Sequence, residues 1–435
     1  MSAPPLRIEP LSRPPDTTVV VPGSKSLTVR AVLAAALADG TSRIEGALRA
    51  DDTEAVVDAV RRLGVEVREE ADGEELHVVG AGVGDGGQLP RGRADLDVRQ
   101  SGATARMLLP VLGLGPGPYR LDGADQLRAR PMGPGLDALR QLGVRVHEEG
   151  PPGHLPVVID GGPAEGGTVR VPGDVSSQFL SGLLLAGPCL RRGVAVELTT
   201  ELVSAPYVEM TRAVLRAFGV PVAPGALRLE PARLRATRYR VEPDASAASY
   251  FFAAAAITGG RVRVEGLGTA SLQGDLRFVD VLERMGATVR RGEGWTEVVG
   301  PPVLHGVEVD MGELSDTAPT LAATAVFADS PTRVTGVGFI RAKESDRIGA
   351  VVEELRRCGI EADEEPDGFV VRPGPPRPAR VRTYDDHRMA MSFALLGLRV
   401  PGIEIDDPGC VAKTFPGYFA ALDRLRLRAA PGDGR

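Results

Sequence analysis

Only three of the 51 basic residues in this chain are lysines: Lys25, Lys343 and Lys413, in the segments VPGSKS, RAKESDR and VAKTFPG. An ammonium is a compact, titratable point charge, whereas a guanidinium is a planar fork that stays protonated. A chain that carries arginine almost everywhere else keeps lysine where the chemistry needs a point charge or a transferable proton. Two acids stand out beside basic partners, Asp316 and Glu344. An acid in cationic surroundings has a lowered pKa and serves as a counter-ion. Two such acids from different segments also suit proton removal at one place and proton delivery at another. Residue types alone fit both readings.

The elements that must position these groups recur. The chain repeats with a period of roughly 70–76 residues. Six copies open on a polar segment and an Ala/Leu-rich helix: VPGSKSLTVRAVLAAALADG, DVRQSGATARMLLPVLGLG, VPGDVSSQFLSGLLLAG, VEPDASAASYFFAAAAITGG, VDMGELSDTAPTLAATAVFA and TYDDHRMAMSFALLGL. Each continues with an alternating strand, such as SRIEGAL or VRVEGLG, and a second helix with one charged face. Five of the second helices end in Gly, a common helix C-cap. Two further strand-like segments close most copies, so the unit reads strand, helix, strand, helix, strand, strand. The first helix is apolar nearly all round and is expected to be buried. Six units most simply make two domains of three, with a boundary near Arg240. The first strand, RIEPLS, has to join a sheet completed by the C-terminal half, which makes the chain cross between domains twice. The tail AAPGDGR is expected to be disordered.

The polar clusters fall at the first turn of helix one (residues 24–26, 101–102, 176–178, 244–246, 315–316 and 386–388). They also fall at the first turn of helix two (128–130, 204–207, 273–275, 343–347 and 413–414). Helix N-termini present unpaired N–H groups and partial positive charge, and so attract anions. Lys25, Arg30, Arg106, Arg130, Lys343, Arg347, Arg388 and Lys413 add to that charge, and together they predict a cationic interdomain cleft for a ligand with several phosphates or carboxylates. Ser and Asp at these places also serve as ordinary N-caps. Basic residues do not have that explanation, because they oppose the helix dipole.

Composition narrows the field. At 435 residues the chain exceeds one ordinary core. Net charge is −7 and aromatics are 4%, which argues against a nucleic-acid track or stacking platform. The longest apolar runs are too short to span a bilayer, and MSAPPLRIEP has no signal-peptide pattern. Cys189, Cys358 and Cys410 are far apart, with no CxxC pair, which suits a reducing cytoplasm and gives no thiolate metal site. The five histidines show no metal-ligand spacing. VPGSK lacks the GxxxxGK[ST] pattern of a triphosphate loop.

The ordered set VPGSKSLTVR, VSSQFLSGLL, LVSAPY, ASAASYF, QGD, KESDR, DDHRMAM and AKTFPGY closely resembles the 5-enolpyruvylshikimate-3-phosphate synthase family, from about Pro22 to Tyr418. The resemblance implies a mixed α/β fold of two inside-out, barrel-like domains, each of three βαβαββ repeats. Residues 1–22 with 242–435 would form one domain, and 23–241 the other. It implies transfer of the enolpyruvyl group of phosphoenolpyruvate to the 5-hydroxyl of 3-phosphoshikimate, with release of phosphate and no metal or organic cofactor. By position, Lys25, Ser26, Arg30, Ser176, Ser177, Gln178, Ser204, Asp316 and Lys343 would meet 3-phosphoshikimate. Lys25, Gly102, Arg130, Gln178, Arg347, Arg388 and Lys413 would meet phosphoenolpyruvate. Asp316 would act as base and Glu344 as proton donor, with Lys25 sharing the proton traffic. The resemblance further implies a cytoplasmic monomer open to glyphosate, for which the small Gly102 leaves room.

Three positions depart from the family pattern. Gln100 stands where Asn is frequent, Ala103 where Thr is frequent, and Phe339 where an Asn can touch the shikimate moiety. The sister transferase acting on UDP-N-acetylglucosamine would show a KNAAL-like opening and a reactive loop cysteine, and this chain has neither. A non-catalytic anion-binding protein would not need Asp316, Glu344 and all three lysines.

Overall fold

The computed structural model describes residues 4–70, 75–84, 88–162 and 164–426, so the tail at 429–435 lies outside the described residues. The chain divides into two compact units, Gly23–Glu242 and Met1–Pro22 with Pro243–Arg435. Each has its own hydrophobic core.

The apolar openings do form buried helices: α1 (Lys25–Leu37), α2 (Gly102–Leu112), α3 (Ser177–Ala186), α4 (Ala245–Thr258), α5 (Ala318–Ala325) and α6 (His387–Gly397). Small and aliphatic residues on every face leave none of these helices a side that prefers water. Alanine and glycine let the helices pack closely. A Cβ on Gly182 of α3 would stand 2.9 Å from Met107 Cα and 3.0 Å from the Arg106 carbonyl of α2. Ser24, Ser101, Ser176, Asp244 and Asp386 cap five of the six by accepting a backbone N–H. α5 instead follows the 3-10 turn Ser315–Thr317. The second helices carry the expected terminators: Gly64, Gly143, Gly219, Gly286 and Gly359 all have positive φ, from 82° to 105°.

Six small sheets of three or four strands follow one plan. The first strand of a repeat pairs parallel with the second. The second pairs antiparallel with the last, and where four strands are present the third closes the edge. Two strands are exchanged between repeats. Asp16–Val19 leads into α1 but pairs with Arg261–Glu265 of the fourth repeat. Arg238–Arg240 leads into α4 but pairs with Asp39–Glu45 of the first. The N-terminal strand Leu6–Ile8 completes the sixth repeat by pairing with Ile403–Ile405, so the C-terminal half does finish its sheet with the N-terminus.

One expectation fails in a consistent way. The basic clusters before the second helices are not in first turns. Arg130 precedes a helix that begins at Gly133, Lys343 and Arg347 precede one that begins at Gly349, and Lys413 precedes one that begins at Tyr418. Lys343 follows the 3-10 turn Gly338–Ala342, and Lys413 ends the turn Pro408–Lys413. Residues 273–275 and 315–316 likewise lie at or in 3-10 turns. A cation in the first turn would oppose the helix dipole, and a preceding turn avoids that cost.

Close packing of α2 on α3 yields a test. Gly182→Ala should destabilise the protein by about 1–3 kcal/mol, since the added methyl meets backbone and not a flexible side-chain tip. The midpoint of urea unfolding should fall. An unchanged midpoint would mean that the two helices separate without cost.

Candidate active site

In the unit Gly23–Glu242, α1 starts on Lys25, whose side chain is nearly buried and whose Nζ lies 3.4 Å from Oδ2 of the buried Asp52. Ser26 is half-buried on the next position. Arg30, one turn later, is 1% exposed. Its Nε donates to Thr211 Oγ1 (2.8 Å), Nη1 to the Ser26 carbonyl (2.8 Å), and Nη2 to Ser181 Oγ (3.1 Å) and the Tyr207 carbonyl (3.0 Å). Burial lowers its pKa to about 10, which still leaves it charged at neutral pH. Arg30 therefore ties α1 to α3 and to the helix Ala205–Ala217 and fixes the backbone at two polar positions.

The start of α2 is shaped around an arginine. A Cβ on Gly102 would lie 2.6 Å from Nη1 of Arg130, so the guanidinium rests directly on the glycine. Arg106 of α2 donates to Gln178 Oε1 (3.1 Å) and the Pro131 carbonyl (3.1 Å), and sits 5.2 Å from the Phe179 ring centroid. Ser176 caps α3 by accepting from the Gln178 N–H (3.3 Å), and Ser177 is buried beside it. Ser204, before the helix Ala205–Ala217, is a non-glycine residue at φ 53°, a strained backbone conformation.

The other unit centres on Arg347, which is 1% exposed. Its Nε and Nη2 donate to the two carboxylate oxygens of Asp386 (2.8 and 3.2 Å). Nη2 also reaches Glu344 Oε2 (2.7 Å), and Nη1 reaches Asp316 Oδ1 (3.1 Å). Arg388 donates to Asp316 Oδ2 (2.7 Å) and, through its backbone, to Asp386 Oδ1 (2.9 Å). Burial acts to lower the Arg347 pKa, but the charges of Asp386, Glu344 and Asp316 outweigh it and the net shift is upward. Burial also pushes the Tyr250 phenol up to about 12, against the opposing effect of nearby Arg388, so it stays protonated. Lys413 is buried, while Lys343 is half-buried with Nζ 5.8 Å from the Phe339 ring centroid.

Thus one guanidinium gathers Asp316 and Glu344, the two acids singled out from sequence, together with Arg388. Of the other predicted residues, Lys25, Ser26 and Arg30 lie on α1, Gly102, Arg130, Ser176, Ser177 and Gln178 lie around the starts of α2 and α3, Ser204 precedes the helix Ala205–Ala217, and Lys343 and Lys413 lie at 3-10 turns of the other unit. Two acids central to this geometry were not among the expected site residues. Asp52 is the partner of Lys25, and Asp386 is the anchor of Arg347. Asp386 read as an N-cap, which it is. Its second duty was signalled only by an acid standing directly before His387 and Arg388 in an otherwise apolar helix. His387 is buried, with Nδ1 3.5 Å from Asp386 Oδ1. Among the described residues, no group of three or more His, Cys, Asp or Glu side chains could hold a metal ion. Nor is any helix long and apolar enough to cross a membrane.

The cysteines are poor nucleophiles in this setting. Burial pushes the Cys189 and Cys358 thiols up to about 12. Cys410 is also raised, by burial and then by Asp407, and its Sγ donates to the Asp407 carbonyl. A raised thiol pKa means neutral thiol at pH 7–8, with thiolate appearing only at higher pH. At pH 7.5 iodoacetamide should leave Cys410 unmodified in the native chain over a time that fully alkylates the unfolded chain, as read by peptide mass spectrometry. Rapid native modification of Cys410 would contradict this account.

A family model described as EPSP synthase (3-phosphoshikimate 1-carboxyvinyltransferase) matches residues 12–422. A 3-phosphoshikimate 1-carboxyvinyltransferase of Trichormus variabilis is 46% identical over 424 residues, covering 97% of this chain and 99% of the relative. One from Ralstonia pickettii is 43% identical, covering 93% and 96%. A solved EPSP synthase from Acinetobacter baumannii superposes with a TM-score of 0.80 at 29% identity, covering 97% of this chain and 98% of that one. The enolpyruvyl transferase NikO of Streptomyces tendae shares the fold, with a TM-score of 0.78 at 22% identity, covering 98% of each chain.

Proposed function

The chain belongs to the EPSP synthase family, and from that premise we propose how its residues carry the reaction. The enolpyruvyl group of phosphoenolpyruvate passes to the 5-hydroxyl of 3-phosphoshikimate and phosphate leaves, a step of aromatic amino-acid biosynthesis. The observation that carries this reading is the single buried guanidinium of Arg347 bonded to both Asp316 and Glu344. A base and an acid are thereby held within one hydrogen-bond network, beside a group that can bind an anion.

Arg347, Arg388, Lys413, Lys25, Gly102, Arg130 and Gln178 serve phosphoenolpyruvate. Arginine pairs bidentately with carboxylate and phosphate, and the bare backbone at Gly102 gives Arg130 its place. Lys25, Ser26, Ser176, Ser177, Gln178, Ser204, Asp316 and Lys343 serve 3-phosphoshikimate. Arg30 contributes by holding the Ser26 and Tyr207 carbonyls.

An incoming substrate anion competes with Asp316 and Glu344 for the N–H donors of Arg347 and Arg388. A carboxyl that loses its cationic partner binds a proton more readily, which prepares Glu344 as the acid. Glu344 protonates the methylene carbon, positive character develops at its neighbour, and the 5-hydroxyl adds there while Asp316 takes its proton. The tetrahedral intermediate then expels phosphate with the proton roles reversed. Lys25, paired with Asp52, shares the proton traffic. No cofactor is required. We place the enzyme in the cytoplasm as a monomer, a setting that its three free cysteines suit.

Phosphate release from phosphoenolpyruvate should require 3-phosphoshikimate. Asp316→Ala should lower kcat by about 10²–10⁴-fold, the usual contribution of a positioned acid or base, and Lys25→Met is the companion control. Release with UDP-N-acetylglucosamine alone would assign the chain to the sister reaction. Tight binding without release would assign it a non-catalytic role.

Glyphosate should compete with phosphoenolpyruvate for the Arg130 guanidinium that rests on Gly102. Gly102→Ala displaces Arg130, so it should raise KM for phosphoenolpyruvate by about tenfold or more, equivalent to one charge-assisted hydrogen bond of about 1.5–3 kcal/mol. Glyphosate inhibition should weaken in parallel. A variant with wild-type KM would show that Arg130 does not face this substrate.

A further inference from the structure

Two consecutive non-glycine residues, Tyr384 (φ 55°) and Asp385 (φ 54°), hold left-handed backbone directly before Asp386, the N-cap of α6. Such a conformation persists only where the surroundings over-determine it. The Asp386 N–H closes the turn on the carbonyl of Thr383 (2.9 Å), a buried residue. The carboxylate that follows bonds Arg347 Nε and Nη2 and the Arg388 N–H. Any shift in the path of residues 382–385 is therefore passed on to both arginines.

The turn is held from its other side by Glu354, in the helix Gly349–Arg357 and fully buried. Its Oε2 accepts from the Arg382 N–H (3.0 Å) and from Arg357 Nε (2.9 Å), and its Oε1 accepts from the Tyr384 hydroxyl (2.8 Å). A carboxylate out of water must be met by donors. Charge balance asks only for Arg357, and the other two donors both belong to the turn. Glu353 also reaches Arg357 (3.1 Å) and Arg382 (3.4 Å), but these ion pairs are exposed to water and hold geometry weakly. Burial, and then Glu354 and Glu353, push the Tyr384 phenol up, so it remains a donor at neutral pH. One helix thus grips the same stretch of chain twice. Arg347, just ahead of it, bonds Asp386, and Glu354, in its last turn, bonds Arg382 and Tyr384.

We propose that Glu354 is a positioning residue for phosphoenolpyruvate: by holding the Arg382 N–H and the Tyr384 hydroxyl it keeps the turn before α6 in its strained form, and so sets where Asp386 places Arg347 and Arg388. The proposal rests on the reaction assigned above.

Tyr384→Phe removes one hydroxyl and keeps the ring. It should raise KM for phosphoenolpyruvate about threefold to tenfold, the worth of one hydrogen bond, with KM for 3-phosphoshikimate unchanged within about twofold. Glu354→Gln should do at least as much, since its amide N–H groups face donors. Cys358→Ala, a buried change just past the end of the same helix, lowers stability without touching these bonds and should leave both KM values within about twofold of the wild type.

A second readout does not use turnover. Hydrogen exchange at the Asp386 and Arg388 amides should quicken about tenfold or more in Tyr384→Phe, because their acceptors lie in the turn and its cap. A Tyr384→Phe variant with wild-type KM for phosphoenolpyruvate, an equal rise in both KM values, or the same split in Cys358→Ala would each overturn the proposal. If the wild type does not turn over 3-phosphoshikimate, the reaction assignment fails by itself. Exchange then decides whether Glu354 governs the turn, and unchanged rates at both amides overturn that. If Glu354→Gln does not fold, Tyr384→Phe decides alone.

Discussion

A charged guanidinium almost wholly removed from water is the constraint on which the Pro243–Arg435 part of the chain is built. Burying Arg347 alone would be prohibitive, and its burial is tolerable only because three carboxylates surround it. Asp386 takes two of its bonds and is itself fixed by the Arg388 N–H at the start of α6 and by the Ser345 hydroxyl (2.9 Å). The helix start, the arginine and the two acids beside it therefore form one object. The neighbouring core supports it with polar groups of its own. Ser249, Thr320 and Ser392, one from each of α4, α5 and α6, follow one another at 3.3 and 3.4 Å. The Ser246 hydroxyl donates to Asp275 at the start of α4.

The Gly23–Glu242 unit solves a similar problem with different partners. Arg30 is also buried, but its partners are hydroxyls and carbonyls and not carboxylates. Burial consequently lowers its pKa, where Arg347 is raised. The same fold thus holds one arginine as a neutral-partner strut and the other as the centre of a charge network. Arg347 sets the two reacting carboxyl groups next to each other, which is why the main proton transfers are assigned there, with Lys25 beside Asp52 sharing the traffic and anion holding shared by both.

Much of this was legible beforehand. All-apolar openings such as YFFAAAAI could only be interior helices, and glycine at the end of the second helices marked their left-handed caps. The need of RIEPLS for a sheet partner followed from its being a strand with no repeat of its own. What escaped was the exact start of the second helices. N-terminal charge preference and strand-to-helix spacing give opposite answers for KESDR and AKTFPG, and a 3-10 turn resolves the conflict in a way that periodicity does not show. Asp52 and Asp386 escaped for a related reason. Each already had a complete local explanation, as a first-turn acid or a cap, and its contact with Lys25 or Arg347 spans a sequence distance that no local pattern encodes.

The exchanged strands have a consequence for how the polypeptide comes off the ribosome. Gly23–Glu242 holds all of its own strands, including Arg238–Arg240, and can be completed as it emerges. The N-terminal strands Leu6–Ile8 and Asp16–Val19 pair with Ile403–Ile405 and Arg261–Glu265. At a synthesis rate of ~5–20 residues per second, Leu6 waits roughly 20–80 s for its partner. During that interval its backbone edge is unpaired, attached to an already folded body. The Asp, Arg and Pro residues around these strands, such as Arg7, Arg13 and Asp16, are the kind that keep such an edge from recruiting a neighbouring nascent chain.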